Sequence, residues 1–264
     1  MENKGDTIVV KIGTESLFQG ENGAFGGEKI EGLCRDTSHI LHNTSDRIVL
    51  VSSGAVGFGR QILEKGGKPT EGLSKQCLAS IGQIDLMQEY RHRFNNYNII
   101  TGQGLVTHAD IEDYADRARF LHDVLKEIFD IKLLPILNEN DFLSSEEMQA
   151  LGRGADNDRN ALLIARLIGA KILYIVTNTN GVYRDKNDPD SRIVSIHASE
   201  LTPEFIEKIT GGKSTHGTGG MQSKLEVARE AAEYKIETRI IDGIHSTLLD
   251  QYHNRAHGGT VIQV

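Results

Sequence analysis

Short runs of β-branched and apolar residues alternate along the chain with longer segments whose apolar positions recur every three or four residues. The short runs predict strands over residues 7–12, 47–51, 99–106, 132–137, 171–177 and 238–242. The longer segments predict amphipathic helices over residues 29–42, 161–168 and 221–234. This alternation favours an α/β fold, a three-layer α-β-α sandwich with a mostly parallel central sheet.

Glycine and polar residues cluster where four of the predicted strands end. Gly13 and Thr14 follow the first strand, residues 52–54 follow the second, residues 138–141 follow the fourth and residues 177–178 follow the fifth. Parallel sheets bind their ligands at the carboxyl ends of the strands, where all of these clusters would meet. The sequence therefore predicts one shared site at that edge of the sheet.

Length and charge limit the classes of protein to which the chain can belong. A chain of 264 residues is within the range of one large α/β unit, and we expect residues 1–264 to form a single domain. The net charge of −8, without a basic stripe, argues against binding to nucleic acid or to a membrane surface. No apolar run approaches the ~20 residues of a membrane span, and the first residues lack a signal-peptide core, so a cytoplasmic protein is expected.

The stretch GTGGMQSK at residues 217–224 carries the strongest chemical signal. Its glycines let backbone amides approach an anion, the helix that follows presents its N-terminus, and Lys224 adds a full positive charge. A tight turn before a helix is the alternative explanation of this feature taken alone. The common nucleotide fingerprints do not apply: Gly212 and Lys213 lack the earlier P-loop glycine, which Glu207 replaces, and no GxGxxG occurs.

Two further residues have the chemistry to act with Lys224 on a phosphoryl group. Lys11 ends the first predicted strand just before Gly13, where its ammonium would point into the cleft and need an anionic partner. Asp158 lies at a predicted helix start, where its carboxylate would orient both lysines and keep them charged. The alternatives are a surface lysine and an ordinary helix cap.

Several short motifs occur in order along nearly the whole chain: KIGT at residues 11–14, SSGAVGFGR at 52–60, SKQCLASIGQ at 74–83, NEND at 138–141, GADND at 154–158, TNTNGVY at 177–183 and GTGGMQSK at 217–224. Together they resemble the glutamate 5-kinases of the amino acid kinase family. The patterns SSGAxxxGR and SKQxLAxxGQ distinguish glutamate 5-kinases from the acetylglutamate, carbamate, aspartate and uridylate kinases of the same fold.

The resemblance implies ATP-dependent phosphorylation of the side-chain carboxylate of L-glutamate to γ-glutamyl 5-phosphate, the first step of proline biosynthesis, with Mg²⁺ accompanying ATP. The implied catalytic residues are Lys11, Asp158 and Lys224. Glutamate would bind to an N-terminal lobe of about residues 1–150, and the implied substrate-binding residues are Ser53, Asp141 and Asn157, the last of which lies just beyond that lobe. ATP would contact Lys11 and a C-terminal lobe of about residues 151–264, through Thr177, Asn178, Thr218, Gly219, Gly220, Met221, Gln222, Ser223 and Lys224.

Asp141 also has a physical reason to bind substrate. The ammonium of an amino acid needs a carboxylate or an amide oxygen in a buried site, because an unpaired charge there is costly. The alternative is that Asp141 only caps the turn after the preceding strand.

Two features depart from the family pattern. Asn178 follows Thr177 where the family commonly has aspartate, which removes a carboxylate near the nucleotide. Many bacterial members also carry a C-terminal PUA domain of the RNA-binding type, and none is expected here. The resemblance further implies a homodimer or homotetramer, with proline as a feedback inhibitor and no protein ligand assigned to the metal.

Two other functions stay open at this point. One is a catalytically silent protein of the same fold that senses an amino acid, although a sensor would not need Lys11, Asp158 and Lys224 together. The other is a kinase for another small carboxylate.

Overall fold

The computed structural model describes residues 5–20, 23, 25–143, 157–211, 220–254 and 258–264. The strands in these ranges are β1 Thr7–Ile12, β2 Arg47–Ser52, β3 Thr101–Val106, β4 Leu134–Glu139, β5 Ile172–Val176, β6 Val182–Tyr183, β7 Arg192–Ile193, β8 Ser195–His197, β9 Glu237–Ile241 and β10 Thr260–Gln263. The α-helices are α1 Thr14–Leu17, α2 Glu28–Asn43, α3 Ala55–Lys65, α4 Lys75–Asn95, α5 His108–Glu112, α6 Ala115–Asp130, α7 Asn157–Leu167, α8 Pro203–Thr210, α9 Met221–Glu233 and α10 Leu248–Tyr252. Among them, no helix is both long enough and apolar enough to cross a membrane.

An eight-stranded sheet organises the fold, in the order β3-β4-β2-β1-β5-β9-β10-β8, while β6 pairs separately with β7. The central strand β1 pairs in parallel with β2 and β5. The next pairs outward, β2 with β4 and β5 with β9, are parallel as well, and β10 runs antiparallel to β9. The predicted mostly parallel sheet is confirmed. The carboxyl ends of β4, β2, β1 and β5 therefore lie side by side.

Two apolar clusters cover the two faces of this sheet. Successive residues of a strand point to opposite faces. Val9 of β1 belongs to the cluster beneath α7 and α9, whereas Ile8 and Val10 belong to the cluster beneath α2 and α4. Every residue of β1 is buried, as expected for a parallel strand that helices cover on both faces. The predicted α/β three-layer sandwich is confirmed.

Helices α3 and α4 pack with their backbones in close contact at two glycines. A Cβ atom on Gly82 would lie 2.0 Å from the carbonyl oxygen of Ala55, and one on Gly59 would lie 1.9 Å from the carbonyl oxygen of Leu78. Both distances are far inside van der Waals contact, so any side chain would push the helices apart. This packing fixes the N-terminal half of α4 against α3, which begins at Ala55 shortly after the end of β2.

The predicted segments differ from the structure mainly at their ends. The strands predicted over residues 99–106 and 132–137 begin two residues later, at Thr101 and Leu134. Lys132 has a φ of 57°, a left-handed conformation that belongs to a turn and not to a strand. The sequence pattern predicted no bounds for α1, α3–α6, α8 and α10, nor for β6–β8 and β10.

Candidate active site

A cavity of about 630 Å³ opens at the carboxyl ends of β1, β2, β4 and β5. The cavity has two sides. The β4 side is formed by the segments that follow β2 and β4, and the β5 side is formed by the segment that follows β5 and by the start of α9. The predicted site residues that line the cavity are Lys11, Ser53, Asp141, Asn157, Thr177, Asn178, Gly220, Met221 and Lys224.

Two lysines that line the cavity, Lys11 and Lys224, share a buried carboxylate, that of Asp158, which does not itself line the cavity. Lys11 Nζ is 2.6 Å from Asp158 Oδ1, and Lys224 Nζ is 3.0 Å from Asp158 Oδ2. Lys11 and Lys224 are 5% and 6% exposed, and Asp158 is fully buried. Burial alone would raise the pKa of Asp158, but the two ammonium groups outweigh burial and hold this pKa below its ordinary value. Asp158 therefore stays ionised, and the cluster keeps one positive charge in excess, which suits an anion.

The start of α9 brings Lys224 to this cluster. Gly220 adopts an extended conformation before the helix, so that the first turn of α9 faces the cavity at Gly220 and Met221. The amide groups of a first helical turn lack partners within the helix and favour negative charge. Gln222 does not line the cavity and donates a hydrogen bond to Glu226 Oε1 over 2.9 Å, and Ser223 does not line it either. Thr218 and Gly219 lie outside the described residues.

A hydrogen-bonded chain of polar side chains forms the β4 side. Asn157 Nδ2 donates to Ser53 Oγ over 2.6 Å. Asn160 Nδ2 donates to Asn157 Oδ1 over 3.4 Å and also to Glu139 Oε2. Because the oxygen of the Asn157 amide faces Asn160, its nitrogen faces Ser53. The buried pair Glu139 and Asn160 therefore sets the orientation of two predicted site residues.

Asp141 lies on the β4 side near charges of both signs. Burial, together with the negative charge of Glu139, raises the pKa of Asp141 to about 6, while the positive charge of Lys75 acts in the opposite direction. At neutral pH Asp141 is a carboxylate that would gain from a cationic partner in the cavity.

Asn178 is the centre of the β5 side. Three donors converge on Asn178 Oδ1: Gln19 Nε2 at 2.7 Å, Ser16 Oγ at 3.2 Å and Lys29 Nζ at 3.2 Å. Asn178 Nδ2 donates to Glu15 Oε2 over 3.2 Å, and Lys29 Nζ also donates to Thr177 O over 2.9 Å. These bonds tie the end of β5 to α1 and α2.

The predicted site residues do not include several charged or polar side chains that line the cavity or contact its lining, among them Glu15, Ser16, Lys29, Lys75, Asn138, Glu139 and Asn160. Lys29 is only 3% exposed; burial lowers its pKa, and the nearby Asp242 counteracts this. Glu139 lies within the NEND motif and Lys75 within SKQCLASIGQ, so the motifs contained a signal. No periodicity distinguishes these side chains from solvated ones.

A protein-bound metal finds no ready site in the part of the chain that the structure describes. There, no group of three or more His, Cys, Asp and Glu side chains is placed to hold a metal ion.

Comparisons with known proteins agree with this architecture. The model of the amino acid kinase family matches residues 6–242. Glutamate 5-kinase of Streptococcus thermophilus is 32% identical over 237 residues, which are 89% of this chain and 88% of the relative. Glutamate 5-kinase of Haemophilus influenzae (strain PittEE) is 38% identical over 242 residues, which are 90% of this chain but 63% of the relative. Glutamate 5-kinase of Pasteurella multocida is 36% identical over 258 residues, which are 96% of this chain and 67% of the relative.

Solved structures share the fold at low sequence identity. Carbamate kinase from Giardia lamblia bound to AMP-PNP has a TM-score of 0.68 at 16% identity, covering 98% of both chains. N-acetylglutamate synthase from Neisseria gonorrhoeae has a TM-score of 0.63 at 18% identity, covering 99% of this chain and 60% of the other. The fold and the cavity define an α/β protein whose cleft at the strand ends is lined by Lys11 and Lys224, both paired with buried Asp158. The chain belongs to the amino acid kinase family.

Proposed function

We propose that the protein transfers the γ-phosphoryl group of ATP to the side-chain carboxylate of L-glutamate, forming γ-glutamyl 5-phosphate, the first step of proline biosynthesis. The observation that carries this proposal is the buried Lys11–Asp158–Lys224 cluster, whose two lysines line the cavity. The relatives named glutamate 5-kinase, which match along most of the chain, supply the substrate class.

The arrangement suits direct transfer between two anions. A carboxylate is already nucleophilic at neutral pH, so no covalent enzyme intermediate is needed. The enzyme has to bring the glutamate carboxylate in line with the γ-phosphate and to neutralise the charge that develops. Lys11 and Lys224, held by one carboxylate, present two ammonium groups that need no reorganisation during the reaction.

The two sides of the cavity bind different substrates. Glutamate binds on the β4 side, where Ser53, Asp141 and Asn157 contact it. ATP binds on the β5 side against Thr177, Asn178 and the glycine segment before α9, and Mg²⁺ arrives with the nucleotide. This assignment corresponds to an N-terminal lobe for glutamate and a C-terminal lobe for ATP within a single domain.

Three further properties are proposed on the resemblance alone. They are a homodimeric or homotetrameric assembly, feedback inhibition by proline and a location in the cytoplasm. Inhibition by proline at or beside the glutamate site would weaken as the glutamate concentration rises.

An ADP-release assay with a panel of acceptors tests the function. L-Glutamate should stimulate ADP release, whereas L-aspartate, N-acetyl-L-glutamate and the absence of acceptor should not. Faster release with another acid would identify a kinase for a different small carboxylate. Binding of glutamate without ADP release from any acceptor would indicate an amino acid sensor.

Asp141→Asn is expected to raise the KM for glutamate about tenfold or more and to leave the KM for ATP unchanged. The substrate ammonium loses its carboxylate partner, and a tenfold effect corresponds to ~1.4 kcal/mol. Since burial and Glu139 raise the pKa of Asp141 to about 6, kcat/KM for glutamate should fall below that pH in the parent enzyme as the carboxylate is protonated. The Asp141→Asn variant should lack this fall. Lower thermal stability with an unchanged glutamate KM would instead assign Asp141 to turn capping.

Asn178→Asp is expected to change the KM for ATP only modestly and to leave the KM for glutamate unaltered. A carboxylate would attract Lys29, but it would lose the hydrogen bond to Glu15 and place two negative charges together. The two effects oppose each other. In a Glu15→Gln background the repulsion is removed, so the same substitution should be better tolerated. A large change in the KM for glutamate alone would contradict the assignment of Asn178 to ATP binding.

A further inference from the structure

Lys75 has a defined position at the β4 side of the cavity. It is the first residue of α4, whose N-cap Ser74 accepts a hydrogen bond from the Cys77 amide over 3.1 Å. The close packing at Gly59 and Gly82 fixes this helix against α3 and therefore fixes where its first turn lies. Lys75 lines the same cavity as the proposed site residues.

The basic side chains around the cavity are divided between two places. Among the described lining residues they are Lys11, Lys224 and Lys75. Lys11 and Lys224 both pair with Asp158, where the phosphoryl group would transfer. Lys75 belongs to a different element, the exposed start of α4, and its positive charge acts on Asp141 of the β4 side.

Three charged groups of an amino acid acceptor must be matched there. Its reacting carboxylate faces the central lysines, and its ammonium needs an anion, for which Asp141 is suited. The remaining α-carboxylate needs a cation at the end of the substrate where the ammonium lies. Lys75 is the cation that the described cavity lining offers at that end.

We propose that Lys75 binds the α-carboxylate of the acceptor while Asp141 binds its ammonium, so that this pair of opposite charges selects an α-amino acid. The inference rests on the proposed function and adds a specificity-determining residue to it. Such a pair favours glutamate over diacids without an amino group and over amino acids without an α-carboxylate, because either analogue leaves one protein charge without its partner.

A substrate that lacks only the α-carboxylate provides the test. 4-Aminobutyrate retains the reacting carboxylate and the amino group of glutamate. Lys75→Ala should lower kcat/KM for glutamate about 10- to 100-fold, mainly through KM, as expected for losing a hydrogen bond to a charged group. The same variant should leave kcat/KM for 4-aminobutyrate within about twofold. If the turnover of 4-aminobutyrate is too slow to measure, the inhibition constant of 4-aminobutyrate against glutamate supplies the same comparison.

Matched variants separate this effect from a general change. Lys75→Arg should restore most of the glutamate affinity. Lys68→Ala removes an exposed lysine of the preceding loop that does not line the cavity, and it should not change kcat/KM for either substrate. Asp141→Asn should weaken the binding of both glutamate and 4-aminobutyrate, and it should leave the binding of glutarate, which has no amino group, unchanged.

Two results would overturn the inference. Unchanged glutamate kinetics in Lys75→Ala would make Lys75 an ordinary surface lysine. Equal losses of kcat/KM for glutamate and 4-aminobutyrate would mean that Lys75 acts on the fold or on the electrostatic field of the whole cavity. Absence of glutamate phosphorylation in the parent protein is a different outcome, because it rejects the proposed function itself.

Discussion

Lys224→Ala should lower kcat by about 10²- to 10³-fold, the loss typical of removing one electrostatic stabiliser of a transition state. The KM for glutamate should change much less, because the lysine interacts most strongly with the charge that develops during transfer. Lys11→Ala should behave in the same way, since both lysines line the cavity and pair with Asp158.

A surface lysine provides the control for this prediction. Lys171 precedes β5 at the opposite edge of the sheet and pairs with Asp6 over 2.9 Å, with 65% of its side chain exposed. Lys171→Ala should retain normal kcat and KM. Near-normal kcat in either Lys11→Ala or Lys224→Ala would remove that lysine from the catalytic assignment.

Asp158→Asn should impair both folding and turnover. The substitution leaves two nearly buried ammonium groups facing a neutral amide, and breaking a buried ion pair in this way costs about 3 to 5 kcal/mol of unfolding free energy. Urea denaturation measures the loss, and kcat should fall together with it because both lysines lose their common anchor.

The pH dependence of this stability difference has a defined sign. The two lysines outweigh burial and hold the pKa of Asp158 below its ordinary value of 3.8. The stabilisation from ionised Asp158 is therefore present above pH 3.8 and is lost as the pH falls through the lower native pKa. The gap in unfolding free energy between parent and variant should narrow in that acidic range.

A triple variant separates the structural role of the cluster from its chemical role. Lys11→Met, Asp158→Leu and Lys224→Met together remove all three charges, and well-packed apolar replacements of buried ion pairs are often neutral or stabilising. We expect this variant to be more stable than Asp158→Asn and to have no kinase activity. Equal destabilisation of the two would show that the unpaired charges are not the cause.

The sequence could predict the centre of the site because each of its residues lies at the end of a regular element. Lys11 is the last but one residue of β1, Asp158 and Lys224 lie in the first turns of their helices, and parallel topology brings such ends together. The orientation of Asn157 could not be predicted in this way. It depends on the distance between α7 and β4, which decides whether Asn160 reaches Glu139.

Helix α4 shows why Lys75 was missed. Its buried side chains include a row at every fourth position, at Leu78, Gly82, Leu86, Tyr90 and Phe94, and one member of the row is a glycine with no apolar side chain. Lys75 lies within the SKQCLASIGQ motif, but because no helix was predicted there, the apolar pattern does not place its side chain in the cavity. Its role depends on glycine-mediated packing between two helices, which a periodicity does not record.

Identification of the reaction product shows whether the enzyme phosphorylates the side-chain carboxylate of glutamate. Acyl phosphates react with hydroxylamine to form hydroxamates, so the enzyme should be incubated with ATP, L-glutamate and hydroxylamine and the products analysed by mass spectrometry. We expect γ-glutamyl hydroxamate in an amount that matches the ADP released, and almost none with Lys224→Ala. Release of ADP without this hydroxamate, or a hydroxamate of the α-carboxylate, would contradict this expectation.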